Sequence, residues 1–236
     1  MQTVGIVLAA GASQRMGQPK ALLAMAAGVP LAAHQAGVLH KGGCKPVAIV
    51  LGSEAETIRP FFSPRWPVVV NPRWAEGRAT SLQAGIRAYP EAGGYLFMPV
   101  DAVGVKSVTI QAVLAAAEEN LDAIWRPVCE GRKGNLLWLP REQAMALLNL
   151  PADARVDAWV QPHARISEVG DPGILANINT PEDWAAFLRS HANPANKKPA
   201  ENSAGYESNY FTRTLARSNS GPCPPLWVLT PAWHRT

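Results

Sequence analysis

A chain of 236 residues with 47% hydrophobic and 17% charged residues can bury one substantial core and is too apolar to be disordered over most of its length. The formal net charge of +4 implies no polyanionic partner, because Lys197, Lys198, Arg213, Arg217 and Arg235 outnumber Glu201 and Glu207 near the C-terminus and leave 17 basic against 16 acidic residues over residues 1–190. Cys44, Cys129 and Cys223 form neither a disulfide framework nor a metal-ligand pattern, no apolar run reaches the ~20 residues of a membrane span, and no targeting segment precedes the first strand. The expectation is a cytoplasmic protein without a nucleic-acid or membrane partner.

Apolar runs at Val4 to Ala9, Val47 to Leu51, Val68 to Val70 and Tyr95 to Val100 lack polar alternation and predict strands buried on both faces, the mark of a parallel sheet. Between them, Pro30 to Lys41 predicts a helix with proline in its first turn and Gly42-Gly43 as its stop, followed by helices over Glu54 to Phe62 and Thr80 to Ala88. Repeated strand-helix units require right-handed crossovers, which gives an α/β fold with a doubly wound, mostly parallel sheet. After a helix at Thr109 to Asn120, the stretches Ala123 to Val128 and Leu136 to Leu139 flank a Gly131 to Gly134 turn and predict mixed or antiparallel strands. The last predicted element is a helix over Thr180 to Ser190, with Thr180 as N-cap, Pro181 in the first helical position and Asp183 at the capping-box offset. Beyond it the composition turns to Asn, Ser, Pro and Lys, with six prolines in 46 residues. Residues 1–190 are therefore expected to form a single domain and residues 191–236 a disordered tail that Trp227 and Trp233 do not anchor.

The segment Leu8-Ala9-Ala10-Gly11-Ala12-Ser13-Gln14-Arg15-Met16-Gly17-Gln18-Pro19-Lys20 follows the first strand, at the edge where an open parallel sheet places its ligand. Small residues admit a ligand close to the backbone, and turn N–H groups can cradle phosphate oxygens. Arg15 and Lys20 add positive charge against a triphosphate. The spacing is neither that of a Walker A loop nor that of a dinucleotide fingerprint. Asp101 closes the strand ending at Val100 on the same edge, where a carboxylate either holds Mg²⁺ against phosphate oxygens or caps a turn. None of the five histidines forms part of a nucleophile constellation.

The loop resembles the L-A-A-G-x-S-x-R-M-G-x-x-K signature of the molybdenum-cofactor nucleotidyltransferases, the MobA-like NTP transferases, within the wider group of sugar-phosphate nucleotidyltransferases. An ordinary glycine-rich turn with two solvated cations would account for a single Gly-x-x-x-Arg match, but not for a register held over the whole loop. The likeness extends over about residues 3–189, since Gly28-Val29-Pro30-Leu31, Val50-Leu51-Gly52, the stretch from Asn71 to Gly85 and Asn179-Thr180-Pro181-Glu182-Asp183 follow in the family's order. It implies a Rossmann-like nucleotidyltransferase fold in which Leu8, Ala9, Ala10, Gly11, Arg15 and Lys20 bind the nucleotide, and Arg15, Lys20 and Asp101 serve catalysis. Asp101 would hold Mg²⁺, with Asn179 either completing that site or acting as a plain turn residue.

Gly77-Arg78-Ala79-Thr80-Ser81-Leu82-Gln83-Ala84-Gly85 is similar to the Gly-x-x-x-Ser-Leu-x-x-Gly helix start of the cytidylyltransferase branch, not to the Gly-Pro-Leu-x-Gly of guanylyltransferases, and Ala10 in place of glycine agrees. Ser81 and Asn71 either bind the nucleotide or serve as local caps. The resemblance thus implies Mg²⁺-dependent transfer of CMP from CTP to a molybdopterin-type acceptor, with release of pyrophosphate and a molybdoenzyme as recipient of the product. Guanylyl or sugar-phosphate nucleotidyl transfer shares the loop and the aspartate, and a non-catalytic nucleotide- or cofactor-binding protein is the alternative of another class. Two positions depart from the family pattern: Val103 stands where proline is common, and Asn135 stands for the histidine of a Gly-His-Pro segment near the acceptor. Asn135 retains hydrogen-bonding capacity but cannot carry a proton as histidine does.

Overall fold

The computed structural model of the protein describes residues 2–62 and 64–192. The tail expected at 191–236, with Trp227 and Trp233, lies outside the described residues from position 193 onward. Strands β1 (Thr3–Ala9), β2 (Val47–Leu51), β3 (Val68–Val70), β4 (Gly94–Pro99), β5 (Ile124–Cys129), β6 (Arg132–Lys133), β7 (Leu137–Pro140) and β8 (Ala164–Glu168) form one eight-stranded sheet. Its order is β3-β2-β1-β4-β7-β5-β6, with β8 paired to β5. The helices are α1 (Leu31–Lys41), α2 (Ala55–Ile58), α3 (Arg78–Ala88), α4 (Ser107–Glu119), α5 (Arg141–Leu147), α6 (Val156–Val160) and α7 (Pro181–Ala192). Strands β3, β2, β1 and β4 are mutually parallel, whereas β7 runs antiparallel to both β4 and β5.

All seven residues of β1 are buried because the strand has a helical layer on each face. Ile6 and Leu8 point one way, to Leu82 and Ile86 of α3, while Val7 and Ala9 point the other, to the cluster containing Leu31 and Leu39 of α1 and Ile110 and Val113 of α4. Each such side chain contributes roughly 1.5–3 kcal/mol when fully buried. Gly5 fits this packing because a Cβ there would lie 2.9 Å from Cβ of Cys44. Burial in turn pushes the Cys44 thiol up to about 12, so that it stays protonated and chemically quiet.

The helix predicted over Glu54 to Phe62 breaks after one turn: α2 ends at Ile58 and a 3₁₀ turn spans Arg59–Phe61. Pro60 has no N–H to donate and its ring crowds the preceding turn. The C-terminal helix is capped as the sequence predicts, with Asp183 N donating to Thr180 Oγ1 at 3.2 Å and Asp183 Oδ2 accepting from Thr180 N at 3.0 Å. Among the described residues no helix is long and apolar enough to cross a membrane. What positions the site is the parallel pairing of β1 with β4, in which Leu8 stands beside Pro99, so that the chain leaves both strands at one carboxyl edge.

Candidate active site

The loop after β1 is folded by its own backbone. Ser53 N donates to Ala10 O and Val100 N to Leu8 O, both at 2.9 Å, which ties the loop's root to the ends of β2 and β4. Ser13 (φ 52°) and Gly17 (φ 71°) bracket a 3₁₀ turn at Gln14–Met16 in left-handed conformations. Gly17 takes that conformation without a Cβ clash. Ser13 is held in it by its own Oγ, which accepts from Lys20 N at 3.1 Å. Met16, 3% exposed, pins the loop to the core.

The turn after β4 is equally constrained. Val103 N donates to Asp101 O at 2.9 Å, Ile178 N donates to the same oxygen at 3.1 Å, and the buried Gln35 of α1 donates through Nε2 to Ala102 O at 2.7 Å. A proline at position 103 would lack the N–H that Val103 uses here. The departure from the family pattern is therefore compensated by hydrogen bonds.

These two segments bring the expected charges together. Lys20 Nζ donates to Asp101 Oδ2 and to Asn179 Oδ1, each at 3.0 Å, and Arg15 Nη2 donates to that same Asn179 oxygen at 3.1 Å. The Lys20 and Asp101 side chains are only 13% and 25% exposed, so their attraction is screened less than that of a surface pair. Asn179 is fixed from behind: its N–H donates to Asp183 Oδ2 at 2.9 Å. The two backbone donors of Asn179 and Thr180 hold the Asp183 carboxyl below its usual range.

Sequence reasoning missed Asn177. In the orientation that satisfies its amide, Asn177 donates to both Asp101 oxygens, at 3.2 and 3.3 Å. Asn177 and Asn179 flank the buried Ile178, and in an extended segment residues two apart project to the same side. The Asn-Ile-Asn spacing just before the helix cap was the available signal.

The cleft above these groups has a volume of about 740 Å³, and its opposite wall includes Gly77, Arg78, Ser81 and Asn135. Leu8, Ala9, Ala10 and Gly11 form its floor. Asn71 is placed differently from the expectation of a nucleotide contact. It is 3% exposed, and its amide donates to Thr80 Oγ1 at 2.9 Å and Ser81 Oγ at 3.0 Å while its Oδ1 accepts from Arg73 N at 3.0 Å. It therefore stands behind the wall and orients Ser81. Asn135 is seated by packing: a Cβ on Gly134 would lie 2.9 Å from Ile174, and Arg126 Nη2 donates to Gly134 O at 3.1 Å.

Among the described residues no group of three or more His, Cys, Asp or Glu side chains could hold a metal, and no histidine borders the cleft. The oxygen donors that do converge are the carboxylate of Asp101 and the amide oxygen of Asn179, while Asn177 turns its NH₂ group to the carboxylate. Such a set fits a hard cation that retains waters and takes further oxygens from a phosphate, which is the habit of Mg²⁺, and does not fit a soft-ligand transition-metal site.

The family model described as the MobA-like NTP transferase domain matches residues 5–167. The chain is 36% identical over 115 residues to the nicotine blue oxidoreductase of Paenarthrobacter nicotinovorans, a match covering 48% of this chain and 55% of that protein, so that it spans about half of that relative's length. It is 29% identical over 210 residues to a probable molybdenum cofactor guanylyltransferase of Bacillus velezensis, covering 84% of this chain and 100% of that one. The crystal structure of Rv0371c from Mycobacterium tuberculosis is similar with a TM-score of 0.67 at 26% identity, over 80% of this chain and 98% of that one. The manganese complex of the same protein gives 0.64 at 23% identity, over 80% and 100% of the two chains.

Proposed function

The chain belongs to the MobA-like NTP transferase family, and from that premise we propose that it transfers CMP from CTP to the phosphate of a molybdopterin-type acceptor and releases pyrophosphate. The observation that carries this reading is the convergence of Arg15, Lys20, Asp101 and Asn179 beneath a small-residue loop, linked by the hydrogen bonds of Lys20 to Asp101 and Asn179 and of Arg15 to Asn179. Residues 1–190 would form the transferase domain, acting in the cytoplasm and passing the product to a molybdoenzyme.

Arg15 and Lys20 hold the β- and γ-phosphates, and Leu8 to Gly11 let the triphosphate lie against the backbone. Asp101, with the amide oxygen of Asn179, would hold Mg²⁺, which when bound would offset the charge that develops on the leaving pyrophosphate, while Asn177 orients the Asp101 carboxylate. The manganese complex of the mycobacterial relative supports a divalent cation in this fold. The acceptor phosphate is already an anion near neutral pH, so positioning takes the place of a dedicated general base. Ser81, oriented by Asn71, faces the nucleoside, and Asn135 faces the acceptor.

Two observations favour other readings. The match over the whole of the Bacillus velezensis relative supports GTP as donor, and the identity with the Paenarthrobacter protein supports redox chemistry on the same scaffold. Pyrophosphate release with molybdopterin, measured with CTP and with GTP in turn, decides among them. A kcat/KM for CTP at least about tenfold above that for GTP, a difference of roughly 1.4 kcal/mol in transition-state binding, supports the proposal. The reverse preference makes the chain a guanylyltransferase. No release with either nucleotide removes molybdopterin as the acceptor.

A further inference from the structure

The groups that would receive a nucleotide are engaged with one another. Lys20 Nζ lies 3.0 Å from Asp101 Oδ2 and 3.0 Å from Asn179 Oδ1, and Arg15 Nη2 adds a second cation to that Asn179 oxygen at 3.1 Å. These are the oxygens through which a hard cation would be held, at about 2.0–2.1 Å for Mg²⁺. An ammonium group and a divalent ion compete for them. Asn179 Oδ1 already accepts from both Lys20 and Arg15, which uses its two lone pairs. In a pocket where Lys20 and Asp101 are 13% and 25% exposed, the repulsion between an ammonium group and an adjacent divalent ion is poorly screened.

We infer that Lys20 is a two-position residue that occupies the cation position of the metal site in the nucleotide-free protein and leaves it when a triphosphate takes its ammonium group. The divalent ion is then admitted with the nucleotide and not before it. This rests on the reading of Asp101 and Asn179 as metal ligands.

The main chain need not move for the exchange. Lys20 N is tied to Ser13 Oγ at 3.1 Å and Ala21 is buried, so the fixed backbone leaves only the four-carbon stem to swing. Asp101 is not stranded by the departure, because Asn177 lies within 3.2 and 3.3 Å of its two oxygens. Binding is thus a change of partners: the cations pass from Asp101 and Asn179 to the phosphates, and the freed oxygens turn to the metal. Until then the carboxylate is neutralised internally, and metal binding without a nucleotide is opposed.

The test is Mn²⁺ binding in the absence of nucleotide, followed by the electron paramagnetic resonance signal of the free ion. It compares the full chain with Lys20→Met, Lys20→Ala and the double variant Lys20→Met/Asp101→Asn. Two Lys20 variants are used so that a folding failure in one leaves the other, and each is checked by its melting curve. Both are expected to bind Mn²⁺ at least about tenfold more tightly than the wild type, with the gain lost in the double variant. A Lys20 variant that folds and binds Mn²⁺ no better than the wild type overturns the inference, whatever the fate of the metal site. A gain that persists in the double variant places the ion away from Asp101 and overturns the metal-site reading on which the inference rests.

Discussion

The two walls of the cleft use different chemistry. On the wall formed by the loop and the β4 turn, Lys20 meets the Asp101 carboxylate directly at 3.0 Å, and both Lys20 and Arg15 donate to the amide oxygen of Asn179, at 3.0 and 3.1 Å, so that two cations and an anion gather at one point. The opposite wall offers a neutral hydroxyl on Ser81 and a neutral amide on Asn135, and the guanidinium of Arg78 is turned to Asp157 at 3.3 Å, which also pairs with Arg126 at 3.2 Å. Recognition of a triphosphate and its cation needs only charge and is insensitive to the attached base. Under the proposed function, choice of base and acceptor would fall to the neutral wall, where a single side chain such as Asn135 in place of histidine would shift the outcome.

That contrast is broken most severely by Asp101→Asn, which keeps shape and removes charge. Pyrophosphate release at saturating Mg²⁺ is expected to fall at least about a hundredfold, since one preorganised charge-stabilising group is worth roughly 2.7–4 kcal/mol in the transition state. Metal-free nucleotide binding should persist, and wild-type turnover in this variant would make Asp101 a turn residue only. Lys20→Ala should weaken triphosphate binding by about 1.5–3 kcal/mol, the range for a hydrogen bond to a charged group. Calorimetric titration of a folded variant with unchanged affinity would remove Lys20 from the phosphate site.

On the neutral wall the effects should be smaller and fall on the other substrate. Asn135→Ala is expected to raise the KM for the acceptor about 2- to 13-fold, equivalent to about 0.5–1.5 kcal/mol, while leaving that for the nucleotide unchanged. A rise in nucleotide KM instead would place Asn135 at the base and blur the division between the walls.

The smallest effect concerns the support behind Asn179. The backbone hydrogen bonds of Asn179 and Thr180 depress the Asp183 carboxyl, so its stabilising contribution is complete above the ordinary Asp value near 3.9 and is lost as pH falls through the lower folded-state value. Melting temperatures of the wild type and Asp183→Asn should therefore differ by a constant amount from about pH 5 upward and converge in acid. A difference that persists at pH 2 would show that the cap does not act through the carboxylate.

How much was legible in the sequence follows the same division. Strands β1, β2 and β4 lie between two helical layers, so both faces are apolar and the runs stand out. The loop was legible through its resemblance to the family signature, and only at Gly17 does a left-handed backbone account for a glycine in it. By contrast β8 is largely exposed, with Ile166 at 58%, and carries no alternation to read. Helices α5 and α6, of seven and five residues, are too short for a helical period and are held by packing of Leu147, Val156 and Val160 instead. Side-chain roles were less legible than positions. Asn71 lies at the predicted place in the chain, yet its amide is turned to Thr80 and Ser81, and nothing local distinguishes Gln35 from a solvated helix residue although it secures the Asp101 turn.

The most direct measurement of the central claim follows the fate of label in the nucleotide. With molybdopterin and Mg²⁺, CTP labelled at the α-phosphate should leave its label in a pterin dinucleotide, while CTP labelled at the γ-phosphate should yield labelled pyrophosphate only, both transfers being lost in Asp101→Asn. Retention of both labels in intact CTP, or transfer of the γ-label to the acceptor, would contradict nucleotidyl transfer at the Lys20 and Asp101 site.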